Sequence, residues 1–214
     1  ILVSGIYRRY RRGVYETSER SFVRGVCHCV SDRGLNMYQE IIKFWFEEID
    51  PVSWWKKDDA FDALLIERFS DVHSRAARCE LYKWRRTPEG RLAEIIVLDQ
   101  FSRNMFRSSA QAFAHDAMSL ALSQEAIACG ADQALTPVQR SFLYMPFMHS
   151  ESLEIHEVAV ELFRNNGIQS NLDFELSHKK IIEEFGRYPH RNNVLGRPST
   201  TDEIEFLTQP GSSF

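Results

Sequence analysis

No stretch of this chain approaches the roughly 20 consecutive apolar residues that a membrane-spanning helix needs, so no helical span is expected. Sustained alternation of apolar and polar residues is also missing, which argues against a sheet. Only four cysteines are present, Cys27, Cys29, Cys79 and Cys129, scattered without a framework. That spacing excludes a disulfide-stapled scaffold and points to a reducing, cytoplasmic setting. Cys27 and Cys29 flank a histidine, but no second ligand pair lies at zinc-site distance, so no metal is expected and no other cofactor is indicated. Glu175 and His178 form the Glu-x-x-His pattern that di-iron bundles use, yet the second copy those bundles require is absent. No repeat near the roughly 34-residue period of helical arrays stands out. No nucleophile-elbow context surrounds Ser150.

Positive charge is scarce beyond the first segment. Residues 1–36 hold seven arginines against three acidic residues, whereas the remainder holds 19 basic and 27 acidic residues. The chain as a whole carries a net charge of −4, which argues against a general nucleic-acid binder. The basic run "YRRYRRG" at 7–13 lacks the apolar core of a secretory leader. Residues 1–36 are therefore read as an appendage, disordered or not native, and residues 37–214 as a single helical domain. Met37 stands where the first convincing helix begins.

From there the apolar spacing is helical nearly throughout. Tyr38, Ile41, Ile42, Trp45 and Ile49 recur at helical intervals before Pro51 ends the segment. Phe61, Leu64, Leu65 and Phe69 are expected on one face of the next helix, and residues 71–84 form a weaker one. A helix is predicted from about Leu92 to Met105, and another after a serine cap, stopping at Gly130. Thr136, Pro137 and Gln139 read as a capping box with proline at the first helical position. Ile155, Val158, Ala159, Leu162 and Phe163 make a stripe within 151–166, a further helix runs over about 172–185, and Thr200 with Glu203 forms a second capping box. Short connectors between helices of this length predict an all-α fold of stacked antiparallel hairpins.

Polar residues on apolar faces supply the candidate site. In "LAEIIVLDQFSRNMF" (92–106) nearly every face is apolar, so Asp99 and Arg103 are expected at depth, four residues apart and able to pair. They serve either as an internal ion pair or as a polar pocket floor. "LYMPFMHSESLEIH" (143–156) looks central too, with Pro146 predicting a kink or break. His149 and Glu151 then act as an acid–base pair or, with Ser150, cap the next helix. His178 lies among Phe174, Ile181, Ile182 and Phe185 and reads chiefly as a core histidine. "FGRYPHRN" (185–192) closes a helix at Gly186 and then sets Arg187, His190 and Arg191 near the negative end of a helix dipole. Paired guanidinium nitrogens clamp carboxylate or phosphate. The anion they hold is internal, such as Asp99, Glu151 or a C-terminal acidic residue, or it is a ligand.

The segments "LDQFSRNMFR" (98–107), "MPFMHSESLEIH" (145–156) and "FGRYPHRNNVLGRPST" (185–200), together with "IIKFWFEE" and "EIEFLTQPGSSF", resemble the signatures of the bacterial family called domain of unknown function 924. The resemblance runs from about residue 37 to the end. It implies an all-α, tetratricopeptide-like fold and marks Asp99, Gln100, Arg103, Asn104, His149, Glu151, Arg187, His190 and Arg191 as signature positions, without giving them a role. Two functions are weighed. In the first, a small anionic molecule or an acidic or C-terminal peptide group binds a polar pocket built from 99–104, 149–151 and 187–191, with Asp99, Gln100, Arg103, Asn104, Arg187 and Arg191 as ligand-binding residues and Trp54, Trp55 and Tyr188 as apolar anchors. In the second, a metal-free enzyme uses His149 or His190 for proton transfer, Asp99 to orient it and an arginine to stabilise an oxyanion.

Overall fold

Caps and breakers in the sequence divide the chain into helices. The computed structural model describes residues 37–213; the basic segment and the Cys27–Cys29 pair lie outside the described residues. The first helix, α1 (Met37–Lys43), runs on through a wide π-helical turn, Phe44–Glu48, until Pro51 opens a short 3-10 turn, Pro51–Trp54. Asp58 caps α2 (Asp59–Ala77) by accepting from the backbone N–H groups of Ala60 and Phe61. A 3-10 turn (Tyr82–Arg86) leads to α3 (Pro88–Ile96), capped by Thr87 with proline at its start. This helix continues without a break through a second π-helical turn, Val97–Phe101, into α4 (Ser102–Met105).

After a 3-10 turn capped by Ser109, α5 (Asp116–Ala128) ends just before Gly130, whose φ of 73° suits a residue without Cβ. The predicted capping box of Thr136 and Gln139 starts α6 (Pro137–Met148). The helix keeps its helical course past Pro146 to Met148, so the expected break does not occur. Proline removes one amide donor, and nearby the Ser123 hydroxyl donates to the Leu143 carbonyl. Short connectors join α6 to α7 (Leu153–Asn166) and α7 to α8 (Gln169–Phe185). The Pro189–Arg191 turn and α9 (Thr201–Phe206), with its Thr200–Glu203 capping box, complete the described residues.

These elements are all helical or turn, with no strand among the described residues. Helix α7 packs on both α6 and α8, and α3 packs on α1, α5 and α6. From α5 to α8 sequential helices are neighbours, as expected for antiparallel hairpins, whereas earlier in the chain α1 packs on α3 and α2 on α4. The central element is the α3–α4 run: every residue over 92–102 is buried. Its Phe101 meets Trp45 at 5.5 Å and Phe69 at 5.3 Å between ring centroids, and Trp45 meets Phe142 at 5.7 Å. A smaller cluster joins Ile181, Ile182 and Tyr188 to Phe185 and Phe206.

Several side chains depart from the predicted faces. Leu64, Val158 and Phe174 are exposed, because each sits at the rim of its stripe while its neighbours Leu65, Ala159 and Glu175 are buried. Trp54 is half-buried, its indole N–H donating to the Trp45 carbonyl, whereas Trp55 is 62% exposed. Tyr188 is fully buried and belongs to the core rather than to an accessible surface.

Candidate functional site

Asp99 sits in the π-helical turn between α3 and α4, 1% exposed. A carboxylate at that depth needs several partners. It finds His149 Nδ1 at 2.8 Å, Arg103 Nη1 at 3.1 Å and the amide of Gln100 at 2.6 Å. Burial pushes the Asp99 carboxyl up, but Arg103 and His149 beside it hold it below the usual carboxylate range. The ionised carboxylate accepts from a protonated Nδ1, which leaves Nε2 as the basic nitrogen of a neutral His149. Burial and then Arg103 push His149 down, against the upward pull of Asp99, so the neutral form prevails near pH 7.

The cluster continues through Asp116, the first residue of α5. Arg103 grips it with two parallel bonds of 3.0 Å, and Arg191 Nη1 reaches the same carboxylate at 3.2 Å. Arg191 is 6% exposed. Its guanidinium lies over the Tyr188 ring at 4.5 Å and over the Phe113 ring at 4.6 Å, two cation–π contacts on one group. Among the described residues it makes one hydrogen bond, and its buried Nε has no partner. Burial, then Arg103, push its pKa down. His178 and His190 stand beside Tyr188, ring centroids 5.8 and 5.6 Å away. Burial, above all, holds them at about 3 and about 4.

The structure thus brings Asp99, Arg103, His149 and Arg191 together, with His190 adjacent. Gln100 and Asn104 support them: Gln100 holds Asp99, and Asn104 donates to the Gln100 carbonyl and accepts from Arg107. Glu151 and Arg187 have other partners. Glu151 takes two bonds from Arg197, at 2.7 and 2.9 Å, and one from the Tyr188 backbone N–H. Arg187 pairs with Glu203 at 2.6 and 2.8 Å and donates to the Pro198 carbonyl. Both tie the corner at 185–203. Ser150 does not cap α7: the helix begins at Leu153 after Ser152, whose side chain makes no capping bond, and the Ser150 hydroxyl accepts from the Ser152 N–H.

Beneath the cluster lies a second buried pair. His156 Nδ1 is 2.7 Å from Glu175, both fully buried, and His156 Nε2 is 2.9 Å from the Ser150 carbonyl. Glu175 therefore bonds to His156 rather than joining His178 at a metal site. Among the described residues no group of three or more His, Cys, Asp or Glu side chains is arranged to hold a metal ion. Sequence reasoning missed Asp116, Phe113, Arg197 and His156. The one signal for Asp116 was its place in the first turn of a helix, which ordinary dipole preference already explains.

No curated protein matches this chain. A solved structure described as "Structure of Protein of Unknown Function ATU0120 from Agrobacterium tumefaciens" shares 39% identity, with a TM-score of 0.76, covering 80% of this chain and 96% of that one. The family described as "Bacterial protein of unknown function (DUF924)" matches over residues 41–211. With most of its length matched, the chain belongs to that bacterial family, DUF924.

Proposed function

We propose that the protein binds a small anionic ligand, a carboxylate or phosphate group free or at the end of a peptide, at the cluster of Asp99, Arg103, His149 and Arg191. One observation carries the reading: Arg191 is a buried cation whose guanidinium, with five N–H donors, makes one hydrogen bond among the described residues and has an Nε without a partner among them. A buried donor left unmatched is costly, and an acceptor brought by a ligand removes that cost. Asp116 and Asp99 accept from their neighbours through both oxygens, so what the cluster still offers is donors. Asp99, Gln100, Arg103 and Asn104 would form the floor and Arg191 the clamp, with Arg187 and Glu151 holding the corner in place. Pairing of α7 with α6 and α8 supports the tetratricopeptide-like stacking expected for residues 37–214. Unbonded Cys79 and Cys129 suit a cytoplasmic setting.

The test is thermal denaturation with phosphate, sulfate, acetate and succinate. A ligand at 100 times its Kd stabilises by about 2.7 kcal/mol, a rise in Tm of several degrees. Arg191→Gln, folded by circular dichroism, should lose that rise. Equal shifts in parent and variant would overturn the assignment.

A second reading rests on the Asp99–His149 contact. A carboxylate fixing Nδ1 leaves Nε2 as a general base, with Arg103 or Arg191 beside it for a developing negative charge. In a screen of ester, phosphoester and amide substrates, turnover that His149→Ala abolishes would favour this enzyme reading.

A further inference from the structure

We infer that the Asp99–Arg103–His149–Arg191 cluster takes up its anion together with one proton, which lodges on His149. This rests on the anion-binding reading above and adds the condition under which binding occurs. Charge balance sets that condition. Arg103 and Arg191 carry two positive charges, and Asp99 and Asp116 carry two negative charges within 3.2 Å of them. Glu151 is matched by Arg197 at 2.7 Å. The cluster is therefore neutral as long as its imidazoles are. A further anion finds donors there but no net positive charge, and in a water-poor site an unbalanced charge is strongly disfavoured.

A proton restores the balance for a singly charged anion and halves the deficit for a dianion, and His149 is the best-placed acceptor. Its Nδ1 is already bound to Asp99 at 2.8 Å, so protonation at Nε2 makes that contact a full ion pair. It also sits at the C-terminus of α6, where the helix dipole favours a cation. The groups that face it are Asp99 from the π-helical turn, Arg103 from α4 and Asp116 from α5, with His178 of α8 and His190 of the 189–191 turn as electrostatic neighbours. Of these, Arg103 opposes an imidazolium and the two carboxylates favour it. An anion beside Arg103 and Arg191 offsets the opposing charge. Anion and proton thus promote each other's binding, as linkage requires.

The experiment is calorimetric titration of the full chain with sulfate, which stays a dianion across the range, and with acetate, at pH 5.5, 6.5, 7.5 and 8.5. Each titration is done in two buffers of different ionisation heat, which counts protons directly. Expected is uptake approaching one proton per anion and affinity falling up to tenfold for each unit of rising pH. His149→Gln should bind with less than a third of that uptake. Affinity independent of pH, with no uptake, overturns the inference and leaves anion binding standing. Undiminished uptake in His149→Gln overturns the assignment to His149. No heat from either anion at any pH overturns both this inference and the binding site itself.

Discussion

Asp99 shows how a single buried carboxylate organises its surroundings. Its three side-chain partners come from its own turn, from α4 and from the end of α6. Removing its charge leaves Arg103 and His149 facing a weaker acceptor in the interior. Asp99→Asn should cost about 3 kcal/mol, in the range for breaking one side of a buried pair, read as a lower urea midpoint with an unchanged slope. An unaltered midpoint would show that Gln100 and Asp116 take over its role. The i, i+4 pairing of Asp99 with Arg103 was legible because their spacing fixes them on one helix face. Asp116, 13 residues beyond Arg103 and across a turn, was not, since nothing local in "HDAMS" distinguishes a bridging carboxylate from one that favours a helix start.

Elements were legible to the extent that local chemistry defines them. Thr136 with Gln139 and Thr200 with Glu203 form the capping boxes their spacing implies. The first is exposed and free of other duties, so Thr136→Ala should cost about 1 kcal/mol in a denaturant melt. A loss below a few tenths would mean that Pro137 alone sets the start of α6. Thr200→Ala would read differently, because Glu203 also receives both bonds from Arg187. The π-helical turns at Phe44–Glu48 and Val97–Phe101 were not legible. In a run apolar on nearly every face, such as 92–102, the register shift of a wide turn has no polar face against which to show. Where such a turn falls on a buried run, it re-aims the polar residue it carries, and in this chain that residue is Asp99. Continuity of α6 through Pro146 has a related cause: with 141–148 wholly buried, packing on both sides holds the helix despite the missing donor.

At the scale of the molecule, three histidines among the described residues are kept neutral by burial. Burial holds His73 and His190 at about 4 and His178 at about 3, against about 6.5 in the unfolded chain. Between those values the unfolded state binds more protons than the folded one, so stability rises with pH across that window. The contribution is complete above about pH 6.5 and is lost as pH falls toward 4. Glu203, lowered to about 2 chiefly by its bond from Arg187, adds a loss of the same sign that begins near the ordinary carboxylate range. Tm measured from pH 7.5 to 4.5 should therefore fall steadily, and His178→Leu should flatten the decline. A flat profile for the parent would mean that these imidazoles reach solvent. All-helical architecture and the three polar segments were legible because periodicity and burial are written locally. How their charges divide was not, since that depends on which carboxylate each arginine meets after folding. Arg187 and Arg191 lie four residues apart yet meet Glu203 and Asp116.

The grip of Tyr188 and Phe113 on Arg191 has one more consequence. Held against two rings, at 4.5 and 4.6 Å, the guanidinium is expected to turn slowly about its Cζ–Nε bond, so that its nitrogen-bound protons should give separate resonance signals. A guest arriving at its edge would move those signals directly, making the side chain a built-in spectroscopic reporter of occupancy that needs no label.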